Sequence, residues 1–546
     1  MSRHLSAIAL SANRILPVAL IISFCLAVLP AAVPAKKPRR IAKPLQKSYS
    51  TYGKWTNGFF TAATVHLHVL PNGKVLSWPQ WPAAAPPCPT CQNPPVQTYV
   101  RISDPPYTSV STLYNYYVDL FCSGHSLLPD GKLLITGGTG YQGPYHHGIV
   151  DTTIFDFSNN SFTNNPAHFM YLPRWYPTNV TMGNGETLTV SGSYLNGSTV
   201  MFNNYPQVWQ TTGGWRDIPN AATPSHLPLY PWMHLTVDGK AFNSGPEQTT
   251  YFLDTIGKGS WSYGRPSIYG LRDEGSSVMY EPNKILIVGG GNKPEGPGGA
   301  VVPTNTAEKI DLSESTPSTG CSSPPCWRSA ASMTHRRRHL NATILPDGKV
   351  LVTGGTSGGG YNNTCVAHQV MVGETWDPVS DTWSLTAAAT HPRIYHSAAV
   401  LLPDGRVLVG GTTPWAAVDG CPGITDQVQQ TEIFWPPYLF DSAGDEAPRP
   451  EITSAPATAT YDEVITVGKT GVAAQNISQV TLVRLSSTTH SFNQNQRFNN
   501  LSFTSFLGGL SVTMPANGNL APPGHYMLFI INSAGVPSVA SIIKLA

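Results

Sequence analysis

The chain has 546 residues, of which 12% are charged, 41% are hydrophobic and 10% are aromatic. This composition excludes an intrinsically disordered chain, and the length is sufficient for two or three domains. Lys and Arg together (33) barely outnumber Asp and Glu (31), which argues against a nucleic-acid-binding protein. The 50 glycines and 49 prolines are typical of an all-β protein with many turns.

The first 35 residues have the pattern of a secretory signal peptide. Arg3 and Arg14 precede an apolar run over residues 15–29, and a small-residue segment ends at Ala35. The run is short for a membrane span, which needs about 20 residues, although an uncleaved anchor is an alternative. We therefore expect a signal peptide over residues 1–35, a basic linker over 36–50, and a secreted, extracellular protein with no membrane span after signal removal.

The cysteines agree with export, since seven of the eight lie beyond the predicted signal peptide. An odd number of cysteines in a secreted protein indicates one thiol outside the disulfides. Cys122, in the segment Leu-Phe-Cys-Ser-Gly, is the one left over. The others are close in sequence or could pair across loops: Cys88 with Cys91, Cys321 with Cys326, and Cys365 with Cys421.

An apolar strand, a tight polar turn and a second apolar strand recur seven times along the chain. Asn-Gly and Asp-Gly in these turns supply the positive φ angles of a hairpin turn. The repeat length, in the fifties, resembles that of kelch repeats, each a four-stranded blade. We expect an all-β fold with a seven-bladed kelch-type β-propeller over residues 51–447. The turn glycines are Gly73, Gly131, Gly185, Gly239, Gly348 and Gly405, and the fifth copy, at Glu281-Pro-Asn283-Lys284, lacks one.

The repeat stops near Pro448. Residues 448–546 contain short runs in which apolar and polar residues alternate, such as Val464-Ile-Thr-Val and Val480-Thr-Leu-Val. This pattern and length predict a C-terminal immunoglobulin-like β-sandwich.

The repeat also aligns a set of reactive side chains. Nine residues before each turn glycine lies the expected start of an innermost strand, and in a propeller these positions form a ring around the axis. Imidazole and phenol groups beside a thiol favour copper over Mg²⁺ or Ca²⁺, while zinc also fits the ligand types. The first copy offers only Thr64 at this position. The ring positions are Cys122, Tyr176, Tyr230, His339 and His396, with Tyr395 one residue earlier.

Four short motifs contain the reactive residues of the ring and one later histidine. They are Phe121-Cys122-Ser-Gly, Arg174-Trp175-Tyr176, Tyr395-His396-Ser, and Thr489-His490 followed by Gln494-Asn-Gln-Arg497. In sequence and order they resemble the motifs of the copper radical oxidases, galactose oxidase and glyoxal oxidase, and the Arg-Trp-Tyr form of the second is closer to glyoxal oxidase. The resemblance covers the predicted propeller and the C-terminal domain, and it implies a copper-dependent oxidase that produces hydrogen peroxide.

The resemblance also implies a role for each site residue. Cys122 and Tyr176 would be joined by a thioether, and this Tyr–Cys group would be the radical cofactor. Tyr176, Tyr395, His396 and His490 would bind a copper ion, and Tyr395 would take the hydroxyl proton of the substrate. Copper and the radical would each accept one electron, and dioxygen would reoxidise both.

Two departures from galactose oxidase concern the substrate. Tyr194 stands where galactose oxidase stacks a Trp on the crosslinked tyrosine, and Pro231 stands where it has a sugar-binding Arg. We therefore expect a small aldehyde, such as glyoxal or methylglyoxal, or a primary alcohol, together with dioxygen, and a monomeric enzyme. Candidate pocket residues, each of which could instead pack in the core, are Tyr194, Tyr230, Trp232 and His339.

A different class of protein also fits the repeats, since a fold does not fix a function. A secreted kelch propeller could bind a glycan or a protein and carry out no chemistry. The presence of all five residues of the implied copper site favours the enzyme. Copper content and radical spectroscopy would distinguish a copper enzyme, a zinc enzyme and a binding protein.

Overall fold

A computed structural model describes residues 49–60, 64–80, 98–142, 145–222, 227–292, 301–360, 362–413, 422–424 and 426–546. The predicted signal peptide, nearly all of the basic linker, and Cys25, Cys88, Cys91 and Cys421 lie outside these ranges. Within them, the all-β prediction is confirmed, and no helix is long and apolar enough to cross a membrane. The helical segments are an α-helix at Tyr49–Tyr52 and 3₁₀ turns at Pro166–His168, Pro219–Ala221, Pro437–Leu439 and Val472–Ala474.

Seven antiparallel sheets, named here the first to the seventh in chain order, occupy the region of the repeats. The two inner strands of each sheet are joined by one of the predicted hairpins, so those hairpins are confirmed. The first three sheets, from the inner to the outer strand, are His66–Val69, Val75–Trp78, Thr98–Ser103 and Ser111–Asn115; Gly124–Leu127, Leu133–Thr136, Thr152–Asp156 and Ser161–Asn164; and Thr178–Thr181, Thr187–Val190, Gln207–Trp209 and Trp215–Asp217.

The remaining four sheets have the same order of strands. They are Met233–Leu235, Ala241–Asn243, Tyr251–Asp254 and Ser260–Tyr263; Ser276–Glu281, Lys284–Val288, Ala307–Asp311 and Arg328–Ala330; Arg338–Ile344, Val350–Thr356, Val372–Asp377 and Thr382–Ala388; and Ala398–Leu401, Val407–Gly410, Gln430–Trp435 and Lys54–Phe60. The outer strand of the seventh sheet thus comes from the beginning of the described chain, with Trp55 opposite Phe434.

The inner strands are buried along nearly their whole length, so polar residues on them, such as His66, His68 and Asn179, are buried together with the apolar ones. The turn glycines adopt φ angles between 79° and 91°, as the hairpin turns require. In the fifth copy Asn283 takes this role with a φ of 62°, because Asn tolerates the left-handed region better than most residues.

The C-terminal region contains two sheets that enclose a separate apolar core around Leu482, Leu510 and Leu528. This arrangement agrees with the predicted β-sandwich. The strands are Glu451–Ser454, Val464–Thr470, Gly509–Thr513 and Phe503–Phe506 in one sheet, and Thr458–Ala459, Ser541–Leu545, Gly524–Asn532, Ile477–Arg484 and Phe498–Leu501 in the other.

Three further hairpins lie outside this pattern. Two of them are two-stranded sheets of their own, Thr139–Gln142 with Tyr145–Gly148 and Ser193–Asn196 with Thr199–Phe202. The third, Ser487–Thr489 with Phe492–Asn493, leaves the C-terminal region and pairs with the innermost strand of the first sheet, placing Thr489 opposite His66. This last hairpin carries His490 to the inner strands of the other sheets.

Candidate active site

The side chains aligned by the repeat lie together at the start of the innermost strands. Tyr176 N–H donates to the Cys122 carbonyl over 2.8 Å, and Tyr230 N–H donates to the Tyr176 carbonyl over 2.9 Å, so neighbouring sheets are linked at this level. Left-handed conformations are unusual for residues with a side chain and cluster at functional sites. All five ring positions have this conformation, with φ between 45° and 66°: Cys122, Tyr176, Tyr230, His339 and His396.

The ring has a sixth member, Glu274, that the turn-glycine spacing missed. Its φ is 53°, and its carbonyl accepts a hydrogen bond of 2.7 Å from His339 N–H. The prediction counted back from glycines, and the fifth copy has Asn283 in that place. Counting nine residues back from Asn283 leads to Glu274, so the same count would have found it if Asn had been accepted as a turn residue.

Cys122 is a fully buried free cysteine. Burial raises the pKa of its thiol well above the usual value, while hydrogen bonding with Tyr176 and Trp175 acts in the opposite direction. The Trp175 ring meets the Tyr176 ring edge-on, with centroids 4.2 Å apart, and its Nε1–H donates to Thr139. The thiol is therefore enclosed beside the ring to which the family resemblance would join it. Of the other predicted pairings, Cys321–Cys326 is a disulfide, and Cys365 is also disulfide-bonded.

The hydroxyl oxygens of Tyr176 and Tyr395 are 2.7 Å apart. Both side chains are buried, at 8% and 4% exposure. The Tyr395 ring stacks on the His396 ring with centroids 3.8 Å apart. Two phenols from the third and the seventh sheets thus meet at one point, next to an imidazole.

The imidazole rings of His396 and His490 lie next to each other and have the same pattern of hydrogen bonding. Their rings lie 4.7 Å apart, centroid to centroid. Nδ1 of His396 is 2.9 Å from the Thr413 hydroxyl, and Nδ1 of His490 is 2.6 Å from the Thr489 hydroxyl. Both Nε2 atoms are buried without a hydrogen-bond partner among the described residues. Burial lowers the pKa of both imidazoles well below 6.5, so both are neutral and can act as ligands.

Polar side chains around His490 fix its position. The Gln494 side-chain oxygen accepts hydrogen bonds from the backbone N–H groups of His125 (3.1 Å) and Asn179 (3.0 Å), on the innermost strands of the second and third sheets. The Gln496 side chain accepts from Ile344 N–H and donates to the Ala342 carbonyl in the sixth sheet, and Arg497 donates to the Leu235 carbonyl in the fourth. One segment thus hydrogen-bonds to the inner-strand backbone of four sheets, which accounts for the polar sequence after Thr489-His490.

A chain of buried histidines is hydrogen-bonded to the backbone of Cys122. Cys122 N–H donates to Nε2 of His66 over 3.1 Å, and Nδ1 of His66 is 3.0 Å from Nε2 of His125. The Ser487 hydroxyl then lies 2.7 Å from Nδ1 of His125 and 2.9 Å from Nδ1 of His68. The amide fixes Nε2 of His66 as an acceptor, so the proton of that ring is on Nδ1. The chain links the Cys122 turn to the hairpin that carries His490, and the motifs and the repeat gave no sign of it.

The four candidate pocket residues lie in different surroundings. Tyr230 is buried, its hydroxyl donates to the Ser123 carbonyl, and its ring lies 4.7 Å from that of Tyr176. His339 is buried with its ring 5.3 Å from that of Tyr395. Trp232 belongs to an apolar cluster with Phe242 and Phe492, as expected of a residue that packs in the core. Tyr194 is half-buried on the hairpin Ser193–Asn196, opposite Met201.

The donor set fits a copper ion. Two neutral imidazoles with free, buried Nε2 atoms and two converging phenol oxygens are nitrogen and oxygen ligands of the kind that Cu(II) prefers. In the described part of the chain, no group of three or more His, Cys, Asp or Glu side chains is placed to hold a metal ion by itself. The tyrosines are what completes this set.

Comparisons with known proteins agree with the motifs. A family model for the glyoxal oxidase N-terminus matches residues 264–438, and one for the galactose oxidase-like early set domain matches residues 449–545. A galactose oxidase from Gibberella zeae is 31% identical over 444 residues, covering 78% of this chain and 61% of that protein. The aldehyde oxidase GLOX from Vitis pseudoreticulata is 29% identical over 468 residues, covering 78% and 82%.

A solved structure supports the same fold. It is described as a novel fungal alcohol oxidase with catalytic diversity among the AA5 family, in complex with copper, and it matches with a TM-score of 0.75 at 24% identity. The match covers 91% of this chain and all of that one. The chain spans about three fifths of the length of the galactose oxidases that it matches, at 61%.

Proposed function

The chain belongs to the family of galactose oxidase and glyoxal oxidase, and on that premise we propose that it is a copper radical oxidase. It oxidises a small aldehyde or a primary alcohol by two electrons and reduces dioxygen to hydrogen peroxide. The observation that carries the proposal is the meeting of the Tyr176 and Tyr395 hydroxyls, 2.7 Å apart, beside two buried imidazoles with free Nε2 atoms.

Tyr176, Tyr395, His396 and His490 are the residues that would hold the copper ion. When bound, copper supplies a one-electron acceptor. The second electron goes to the radical, one-electron-oxidised form of Tyr176, which we propose is joined to Cys122 through a thioether after loss of two hydrogens to dioxygen. Burial of Cys122 and the cover of Trp175 keep water and external thiols away from this group.

The proton chemistry falls to Tyr395. A substrate hydroxyl must lose its proton before its carbon can be oxidised, and Tyr395 is the phenol nearest to both Tyr176 and His396. Burial of the surrounding side chains keeps bulk water from competing for this proton. The hydroxyl of Tyr230 is engaged by the Ser123 carbonyl, so Tyr230 is the poorer candidate for the base.

The substrate is proposed to be a small aldehyde or a simple alcohol. Pro231 offers no hydrogen-bond donor where galactose oxidase has a sugar-binding Arg. The chain is about equally identical to galactose oxidase (31%) and to GLOX (29%), so overall identity does not distinguish a sugar from a small aldehyde as the substrate. The pocket residues must decide between them. Tyr194 is a smaller stacking partner than Trp and is held on a half-exposed hairpin.

The proposal also includes the closed propeller fold and secretion of the protein. The seven sheets are inferred to be the blades of a closed β-propeller over residues 51–447, which the pairing of Lys54–Phe60 with Gln430–Trp435 supports. The C-terminal domain, residues 448–546, then delivers His490. The signal-peptide pattern supports secretion. A monomer is part of the same proposal.

The test is peroxide production by copper-loaded protein on a panel of aldehydes, alcohols and sugars. The Cys122→Ser variant is the matched control, because it keeps the size of the side chain and removes the sulfur. We expect copper-dependent peroxide from the parent protein and none from the variant. A parent protein that binds no copper and makes no peroxide would refute the proposal in favour of a binding protein.

A further inference from the structure

Glu274 brings a carboxylate into the ring of side chains. Its side chain is 15% exposed, whereas that of His339 beside it is 1% exposed. Tyr176, Tyr395, His396 and His490 are all at most 8% exposed. Glu274 is therefore more accessible to solvent than His339 and the four proposed copper ligands.

Glu274 differs from the other buried glutamates of these sheets in its partner. Each of the others is paired with an arginine: Glu308 with Arg272 at 2.6 Å, Glu374 with Arg337 at 2.7 Å, and Glu432 with Arg393 at 2.9 Å. Arg338, which is next to His339 in sequence, is paired with Asp273. The partner of Glu274 is Nδ1 of His339, 3.3 Å away.

The Glu274–His339 pair lies next to Tyr395, the proposed base. The His339 ring stands 5.3 Å from the Tyr395 ring, centroid to centroid. The Tyr395 ring in turn stacks on the His396 ring, with centroids 3.8 Å apart. Burial and then the charge of Cys122 raise the pKa of Tyr230, and the charge of Glu274 adds to this effect.

We propose that Glu274 and His339 form a subsite that accepts a hydrogen bond from a second hydroxyl of the substrate, next to the hydroxyl that Tyr395 deprotonates. This inference rests on the proposed function and specifies its substrate class. Aldehyde hydrates and 1,2-diols carry such a hydroxyl, whereas simple primary alcohols do not. The same negative charge disfavours substrates with a carboxylate beside the reacting carbon.

The chemistry of the pair determines this preference. An ionised carboxylate only accepts hydrogen bonds, and a hydrogen bond to a charged group is stronger than one between neutral groups. Removing it from a substrate that uses it costs about tenfold to a hundredfold in binding. A simple alcohol makes no such bond and loses nothing.

The test compares Glu274→Gln with the parent enzyme on methylglyoxal, glycerol, 1-propanol and glycolate. Glu274→Gln keeps the shape and removes the charge. We expect kcat/KM to fall at least about tenfold for methylglyoxal and glycerol, to stay within about twofold for 1-propanol, and to rise for glycolate, which has a carboxylate beside the reacting carbon and no second hydroxyl. Glu281→Gln, an exposed change on the strand that follows Glu274, is the control that should alter none of these.

A binding measurement separates recognition from turnover. The copper-loaded enzyme in its radical-free form does not turn over, so ethylene glycol and ethanol can be titrated against its visible absorption. The parent should bind ethylene glycol more tightly than ethanol, and Glu274→Gln should bind the two equally. If Glu274→Gln does not fold, Glu274→Asp, which keeps the charge on a shorter side chain, should retain a weakened preference for the diol.

The outcomes distinguish this inference from the proposed function. A parent enzyme that makes peroxide but whose Glu274→Gln variant keeps the same ratio of diol to alcohol activity overturns the subsite alone. A parent that shows no copper-dependent peroxide overturns the proposed function itself. Equal loss on 1-propanol and methylglyoxal would make Glu274 a structural residue and would also overturn the subsite.

Discussion

The hydroxyl oxygens of Tyr176 and Tyr395 lie 2.7 Å apart, although 219 positions separate the two residues in the sequence. Two phenols at hydrogen-bonding distance inside a protein can share a proton or bind one metal ion. With His396 and His490 beside them, the second role is favoured, because both imidazoles have a buried Nε2 without a partner among the described residues. Substitutions at these positions should therefore affect metal binding and turnover together.

His490→Ala should abolish copper-dependent activity, although His490 comes from the C-terminal region. The change removes one of four proposed ligands, whereas a surface substitution usually changes stability by less than about 0.5 kcal/mol. Copper content after dialysis and peroxide production measure the effect, with the partly exposed His168→Ala as the control. Unchanged copper content and full activity in His490→Ala would refute the assignment.

Tyr395→Phe should lower kcat by roughly a hundredfold or more, the usual contribution of a positioned general base. Phe retains the stacking on His396 but has no hydroxyl to take the proton of the substrate. Steady-state peroxide production on 1-propanol measures the loss, and the exposed Tyr205→Phe provides the comparison. A variant with normal kcat would assign the base to another residue.

The buried histidines should make the protein sensitive to acid. Burial lowers the pKa of His125 to about 3, against 6.5 in an unfolded chain. Between these values only the unfolded state binds the proton, so the stabilisation is complete above pH 6.5 and is lost as the pH falls, at up to about 1.4 kcal/mol per pH unit. Chemical denaturation of the copper-free chain from pH 7 to pH 4 measures this slope.

The contribution of His125 itself can be isolated by His125→Gln, which keeps a polar side chain but removes the titrating group. The variant should be less stable at pH 7, by about 1–3 kcal/mol, because its partners His66 and Ser487 lose their hydrogen bonds. Its stability should also depend less on pH as the solution is acidified from neutrality. Identical slopes in the variant and the parent would contradict the account of the histidine chain.

Oxidation of glyoxal or methylglyoxal, or of a simple primary alcohol, should exceed oxidation of galactose. A site selects a polyol by hydrogen-bonding its hydroxyls, and the guanidinium of galactose oxidase donates two such bonds in a fixed fork. Pro231 provides neither, and each lost bond to a charged group costs roughly 1.5–3 kcal/mol. Side-by-side peroxide assays on glyoxal, methylglyoxal, benzyl alcohol and galactose decide the point. A clear preference for galactose would refute the pocket argument but not the copper site.

The repeat made much of the site predictable, because turn glycines have a strict conformational role. Counting back from these glycines is enough to locate Cys122, Tyr176 and His396 at the starts of the innermost strands. Glu274 escapes this count because Asn283 replaces the glycine, at a φ of 62°. The rule is therefore sound physically but needs to include Asn as well as Gly.

Other features depend on contacts that a local pattern does not contain. His490 could be assigned only through the family resemblance, because its position is set by side chains such as Gln494 bonding to the backbone of distant sheets. The bond from Cys122 to His66 also joins different parts of the fold. The position of His490 and the Cys122–His66 bond both depend on packing between sheets that are distant in the sequence, so a local sequence pattern cannot predict them.

The most direct test of the central claim is the covalent state of Cys122 after aerobic copper loading. The thiol is buried, free of disulfides and hydrogen-bonded to Tyr176. Peptide mass spectrometry of the activated enzyme should show the Cys122 and Tyr176 peptides joined, with a mass two hydrogens below their sum. Recovery of Cys122 as an alkylatable thiol from enzyme that is fully active would contradict the account.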